Sequence, residues 1–264
     1  MICDGVINCG KGGLWEGSTV IKHSFGSIDG YCYTGSLEAF LENYEKGDRI
    51  FEVDLEMTSD DKVILRHDWD LEMQEGISSE NIPTQEQFLS VPIYGIYTPL
   101  SFRDLCLLMQ EYPDIWIVTD SKYKDWDNVI KQFTIMVRTA EECNAAEVLD
   151  RLVVQIYDEF MYEALKEVYP FRSFIFTLYQ RWDGKTVETC TQICRWSVEK
   201  NIDMITMPYS YATEENLEVT RRYGREVYVH TINDAAVAKD FFEKGIRGIY
   251  TDDLCLKELE EEKE

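Results

Sequence analysis

The chain is 264 residues long and 45% hydrophobic, enough to bury a sizeable core and close to the normal size of an α/β barrel. Its 50 acidic against 26 basic residues give a formal charge of -24, which excludes nucleic acid or an anionic bilayer as a direct partner, because both demand a basic footprint. There is no apolar run of about 18 residues and no basic-then-apolar leader. The eight cysteines, at 3, 9, 32, 106, 143, 190, 194 and 255, show neither C-x-x-C pairs nor disulfide-scaffold density. They read as reduced, and with the missing leader they point to a soluble, cytoplasmic protein without stable membrane insertion.

Residues 1–19 are Gly-rich and aperiodic, and read as an N-terminal extension. From there strands alternate with helices. Predicted strands cover Thr19 to Lys22, Ile50 to Leu55, Trp116 to Thr119, Leu152 to Ile156, Ser173 to Thr177, Met204 to Met207, Glu226 to Val229 and Gly248 to Tyr250. Between them helical spacing covers Ser36 to Glu45, Ser101 to Gln110, Trp126 to Glu142, Glu159 to Val168, Val187 to Lys200, Glu214 to Tyr223 and Asp234 to Glu243. Ser36 and Asp234 suit N-caps, and Gly47, Gly224 and Gly245 fall just past helix ends. Eight strands in this rhythm predict a (β/α)8 barrel over residues 20–255, with an open doubly wound sheet as the alternative. The polar, irregular stretch 69–98 reads as an insertion able to cover a site, and residues 256–264 as a charged, solvated tail.

Only three histidines occur, and two of them, His23 and His67, flank the pair Glu52-x-Asp54. Ile50 to Thr58 and Lys62 to Arg66 are strand-like and joined by so short a link that they must form a hairpin, since a parallel crossover needs a dozen or more residues. A two-residue turn at Asp60 and Asp61 would set Asp54 opposite His67, with Glu52 on the same face. In a barrel the reactive groups sit at the carboxyl ends of the strands. His23 follows the first strand, Asp54 closes the second, Asp120 and Lys122 follow the next, and His230 ends the seventh. Carboxylates inside an apolar barrel call for neutralisation, and a divalent cation shared by Glu52, Asp54 and Asp120 provides it; all-oxygen ligation favours Mg²⁺ or Ca²⁺.

These residues resemble the core of the glycerophosphodiester phosphodiesterases. Val118-Thr-Asp-Ser-Lys122 is similar to the family's I-E-I-K strand, Val153-Val-Gln-Ile156 to its V-V-Q-S-F, Val229-His-Thr-Ile-Asn-Asp234 to its W-T-V-N, and Gly248-Ile-Tyr-Thr-Asp252 to its G-I-x-T-D. The resemblance runs over residues 20–253. It implies a PLC-like (β/α)8 barrel that hydrolyses phosphodiesters, with His23 and His67 as the acid/base pair, Glu52 and Asp54 as metal ligands, Asp120 in place of the family's third ligand, and Lys122 on phosphate. The family's H-R-G is His23-Ser24-Phe25 here, its E-N-T is Thr34-Gly35-Ser36, and its aromatic stands as His230. Ser24 and His230 then face the substrate with a changed choice of head group. In this reduced form the site also resembles sphingomyelinase D-like barrels, which transesterify choline phospholipids; a degenerate barrel that binds a polyol phosphate without catalysis is a further alternative. An unrelated barrel using Lys122 as an amine nucleophile would leave the Glu52, Asp54 and His67 set idle.

Overall fold

The computed structural model describes residues 19–255, apart from 180 and 182, together with Leu259. The expected extension and charged tail therefore lie outside the described residues, except for Thr19 and Leu259, and Leu259 is buried rather than solvated. Nine strands form one sheet: β1 Val20–Lys22, β2 Ile50–Met57, β3 Val63–Leu65, β4 Trp116–Ser121, β5 Leu152–Ile156, β6 Ser173–Thr177, β7 Met204–Pro208, β8 Glu226–His230 and β9 Gly248–Thr251. The order is β1-β9-β8-β7-β6-β5-β4-β2-β3, and β1 also pairs with β2, so eight parallel strands close on themselves while β3 hangs antiparallel from β2. This is the (β/α)8 barrel, not the open sheet.

The helices are α1 Leu37–Glu45, α2 Gln85–Ser90, α3 Phe102–Glu111, α4 Trp126–Glu142, α5 Glu159–Val168, α6 Val187–Lys200, α7 Glu214–Arg222 and α8 Ala235–Glu243. Ser36 and Asp234 cap α1 and α8, accepting from the amides of Ala39 and Val237. The insertion carries one element that its polar sequence hides, α2, whose start is a capping box between Thr84 and Gln87.

Two apolar layers explain the barrel. Outward-facing strand residues pack against the helices in one large core. Inside, Ile21, Ile50, Val118, Val153, Ile175, Met204, Tyr228 and Tyr250 form a separate cluster, one residue from each barrel strand. Side chains alternate along a strand, so the residues two and four positions beyond this ring also face the barrel axis, higher toward the carboxyl ends. That arithmetic gives His23 on β1, Glu52 and Asp54 on β2, Asp120 and Lys122 on β4, Gln155 and Tyr157 on β5, Thr177 and Tyr179 on β6, His230 on β8, and Asp252 after β9.

Candidate active site

A cavity of about 200 Å³ opens at this end of the barrel, lined on one side by His23, Tyr33, Glu52, His67, Asp120 and Lys122, and on the other by residues of or just after β5, β6, β8 and β9, among them Gln155, Tyr157, Tyr179, His230 and Tyr250. Nine of the lining residues, Thr177 included, belong to the inward column just described. Residues 69–98 contribute none of these lining residues.

The hairpin register differs from expectation by one residue. Leu55 pairs with Leu65 and Met57 with Val63, and the Arg66 amide donates to the Asp54 carbonyl, so Arg66 and not His67 stands opposite Asp54. The cause is a three-residue loop, Ser59 to Asp61, closed by Asp61 in the left-handed region at φ 57°. His67 reaches the cavity all the same because it follows the strand end. Arg66 turns away and is buried, bonding to the Asp68 and Leu71 carbonyls and to Gln74.

Both imidazoles are held at Nδ1 by a carboxylate. His23 Nδ1 lies 2.9 Å from Asp252 Oδ1, and Asn233 Nδ2 donates to the other oxygen at 2.8 Å while its own carbonyl accepts the Asp252 amide. His67 Nδ1 lies 2.6 Å from Asp68 Oδ2, whose Oδ1 accepts the amides of Asp70 and Leu71. The Tyr33 ring stands edge-on between the two, 5.0 Å from His23 and 4.8 Å from His67.

Glu52 Oε2 accepts the Ser24 amide at 2.8 Å and lies 3.9 Å from His23 Nε2. That amide is aimed inward because Ser24 and Phe25 adopt φ of 48° and 66°, a costly backbone for a bulky residue, offset where Phe25 packs on Phe40 and Phe51. Ser24 thus meets the site through its backbone; its buried side chain is not among the cavity walls. Thr34 is likewise buried, with its hydroxyl on Ser36.

Parallel pairing puts Asp54 beside Asp120, and Lys122 Nζ bridges them at 2.5 and 2.7 Å. Asp120 is otherwise committed: its Oδ1 accepts Gln155 Nε2 at 2.8 Å and the Tyr157 hydroxyl. Asp54 is not. Both its oxygens are buried and, the ion pair apart, find no donor. Such an orphaned carboxylate fits a cation ligand, and ligand atoms of His23, Glu52 and Asp54 lie within 4.8 Å of one another, a group that could hold a metal ion. Asp120 falls outside that group.

The electrostatics follow from burial and these partners. Burial favours neutral His23, but Glu52, Asp252 and Asp54 outweigh it and push the ring up to about 9. Burial, then Asp54, raises Glu52, whereas for Asp54 the Lys122 and His23 charges overcome burial and hold it low. Lys122 is raised against its own burial by Asp54, Asp120 and Glu52, the opposite of what an amine nucleophile needs. His230, between Tyr179 and Tyr250, is lowered to about 4 by burial and then by His23. Its folded form resists protonation, so its contribution to stability is complete above about 6.5, the unfolded value, and is lost as pH falls toward 4. Thermal melts at pH 4.5 and 7.5 should therefore differ less for His230→Gln than for the parent chain; an equal difference would contradict this sign.

The comparisons with known proteins agree with this fold. The family model described as "Glycerophosphoryl diester phosphodiesterase family" matches residues 30–256. The chain belongs to that family. It is accordingly a phosphoric diester hydrolase by class. No curated protein matches the sequence. Among solved structures, a barrel from Silicibacter pomeroyi DSS-3 superposes with a TM-score of 0.74 at 16% identity, over 89% of this chain and 90% of that one. An Oleispira antarctica phosphodiesterase, solved in complex with the product sn-glycerol-3-phosphate, gives 0.72 at 13% identity over 92% and 96%. Thermotoga maritima glycerophosphodiester phosphodiesterase gives 0.62 at 19% identity over 89% and 94%. At these identities the likeness is one of fold.

Proposed function

We propose that this phosphodiesterase cleaves a glycerophosphodiester, or a related lipid-derived head-group ester, by acid/base catalysis between His23 and His67 with help from a divalent cation. The observation that carries the reading is the pair of imidazoles, each fixed at Nδ1 by a carboxylate, entering one cavity on either side of Tyr33. With Nδ1 engaged, Nε2 of each ring is left for proton transfer. One takes the proton of the attacking water or substrate hydroxyl, and the other protonates the departing alkoxide.

Glu52 and Asp54, beside His23, would hold the cation; Mg²⁺ or Ca²⁺ suits carboxylate oxygens. A divalent cation bound there supplies positive charge that polarises a phosphoryl group. Asp120 fixes Lys122 and Tyr157, and Lys122, which lines the cavity, would meet a phosphate oxygen. Asp252 with Asn233, and Asp68 with two backbone amides, orient the imidazoles.

On the opposite wall no arginine or lysine appears among the described residues; Gln155, Tyr157, Thr177, Tyr179, His230 and Tyr250 stand there. That wall suits the leaving alcohol, with neutral His230 as a contact, and Ser24 supports the site from behind through Glu52. The reading is tested by alcohol release from glycerophosphodiesters and lysophospholipids with Mg²⁺, Ca²⁺ or Mn²⁺. Release that stops on chelation is expected. Silence with every metal, while a polyol phosphate still binds, would instead mark a binding barrel, and a cyclic phosphate as sole product would mark transesterification.

A further inference from the structure

Among the described residues, the exposed aromatic side chains are distributed on one side only. Tyr31 lies in the loop after β1, Tyr94 in the insertion, Trp126 and Phe160 in the first turns of α4 and α5, and Tyr179 and Tyr209 just past β6 and β7. All six stand at the carboxyl ends of the strands, around the mouth of the cavity. Away from that rim the exposed large apolar residues are aliphatic, such as Leu107 and Val198. Phe160 is 71% exposed and Tyr209 54%, so folding does not account for them. Tyr31 and Tyr94 stack on each other at 4.4 Å with both rings open to solvent.

Acidic residues outnumber basic ones beside the rings. Trp126 sits between Asp125 and Asp127, Phe160 follows Asp158 and Glu159, and Tyr31 is close in sequence to Asp29; the basic residues beside them are Lys124, next to Asp125, and Arg181, which pairs with Glu159. This pattern, on a chain of net charge -24, opposes a second copy, an anionic lipid or a nucleic acid on this face. It complements a cation instead. Rings bordered by carboxylates are the chemistry that accepts a quaternary ammonium, and Tyr and Trp, apolar in body and polar at the tip, favour a lipid–water boundary.

We propose that the rim docks the open end of the barrel on a zwitterionic lipid surface headed by phosphocholine, whose outermost group is the ammonium, as a peripheral contact without insertion of a segment. Among the described residues no helix is long and apolar enough to cross a membrane, which is consistent with contact of this kind. The inference rests on the phosphodiesterase reading only for its purpose, that of bringing the cavity mouth to a lipid-borne substrate.

Docking is measured without turnover, by co-sedimentation of the full chain, in chelator, with vesicles of pure phosphatidylcholine or of phosphatidylglycerol. The chain should sediment with the choline lipid and bind the anionic one at least about tenfold more weakly. The triple variant Trp126→Ser, Phe160→Ser, Tyr209→Ser, at positions outside the cavity, should lose about tenfold or more of the choline-vesicle binding, with an unchanged melting temperature and unchanged hydrolysis of a water-soluble diester. Phe160→Trp should bind at least as well as the parent. No sedimentation with phosphatidylcholine, equal or better binding to phosphatidylglycerol, or full binding by the triple variant would each overturn docking while leaving the catalytic reading untouched. An inactive parent chain that still docks would do the reverse.

Discussion

His67→Ala is expected to lower kcat by about 10² to 10⁴, the usual contribution of one positioned acid or base, and to leave the fold intact. The imidazole is about one-third exposed and its partner Asp68 still accepts two backbone amides, so truncation removes neither a core contact nor the last ligand of a buried charge. His23→Ala should cost as much activity but also stability, because Glu52 and Asp252 both rely on that ring for positive charge. The double variant should be scarcely slower than either single one, as for groups that act as a unit. Steady-state kinetics with paired melting curves checks this; His67→Ala with undiminished kcat, or strictly additive losses, would contradict the two-histidine scheme.

Lys122→Met carries the largest expected effect on stability. Three carboxylates, Glu52, Asp54 and Asp120, converge near one ammonium, and Glu52 and Asp54 are 2% exposed. Deleting that cation leaves buried like charges without their partner, a loss of about 3–5 kcal/mol. Some of it is recoverable. A divalent cation at Glu52 and Asp54 would compensate the same carboxylates, so the rise in melting temperature on adding Mg²⁺ or Ca²⁺ should be larger for Lys122→Met than for the parent chain, and absent from Asp54→Asn. Melting in chelator, then with metal, decides the matter: a Lys122→Met chain as stable as the parent in chelator would show that the carboxylates are not held by this charge.

The barrel was legible because its strands are apolar runs spaced by amphipathic, well-capped helices, and the site because a barrel places chemistry just past the strand ends. The same logic reaches further than the motifs. The inner ring from Ile21 to Tyr250 sets the phase of each strand, and counting on by two from it reaches Gln155, Tyr157, Thr177 and Tyr179, which no charge or histidine pattern singled out. The hairpin register was missed because an Asp60-Asp61 turn and a three-residue loop ending in left-handed Asp61 have the same local composition. The helix α2 was missed since its capping box lies in a polar, proline-bearing stretch. Tyr33, delivered by a loop, leaves no local signal; Asn233 and Asp252 stand in the motifs quoted above, but their linkage to His23, more than 200 positions away, depends on closure of the barrel.

The most direct test of the account is turnover of a single glycerophosphodiester by the parent chain and by His67→Ala, side by side, with Mg²⁺ or Ca²⁺ and then with excess chelator. The account requires release of an alcohol and a phosphomonoester by the parent chain, its loss on chelation, and its loss in His67→Ala whatever the metal. Release that survives chelation, or that survives the loss of His67, would contradict it.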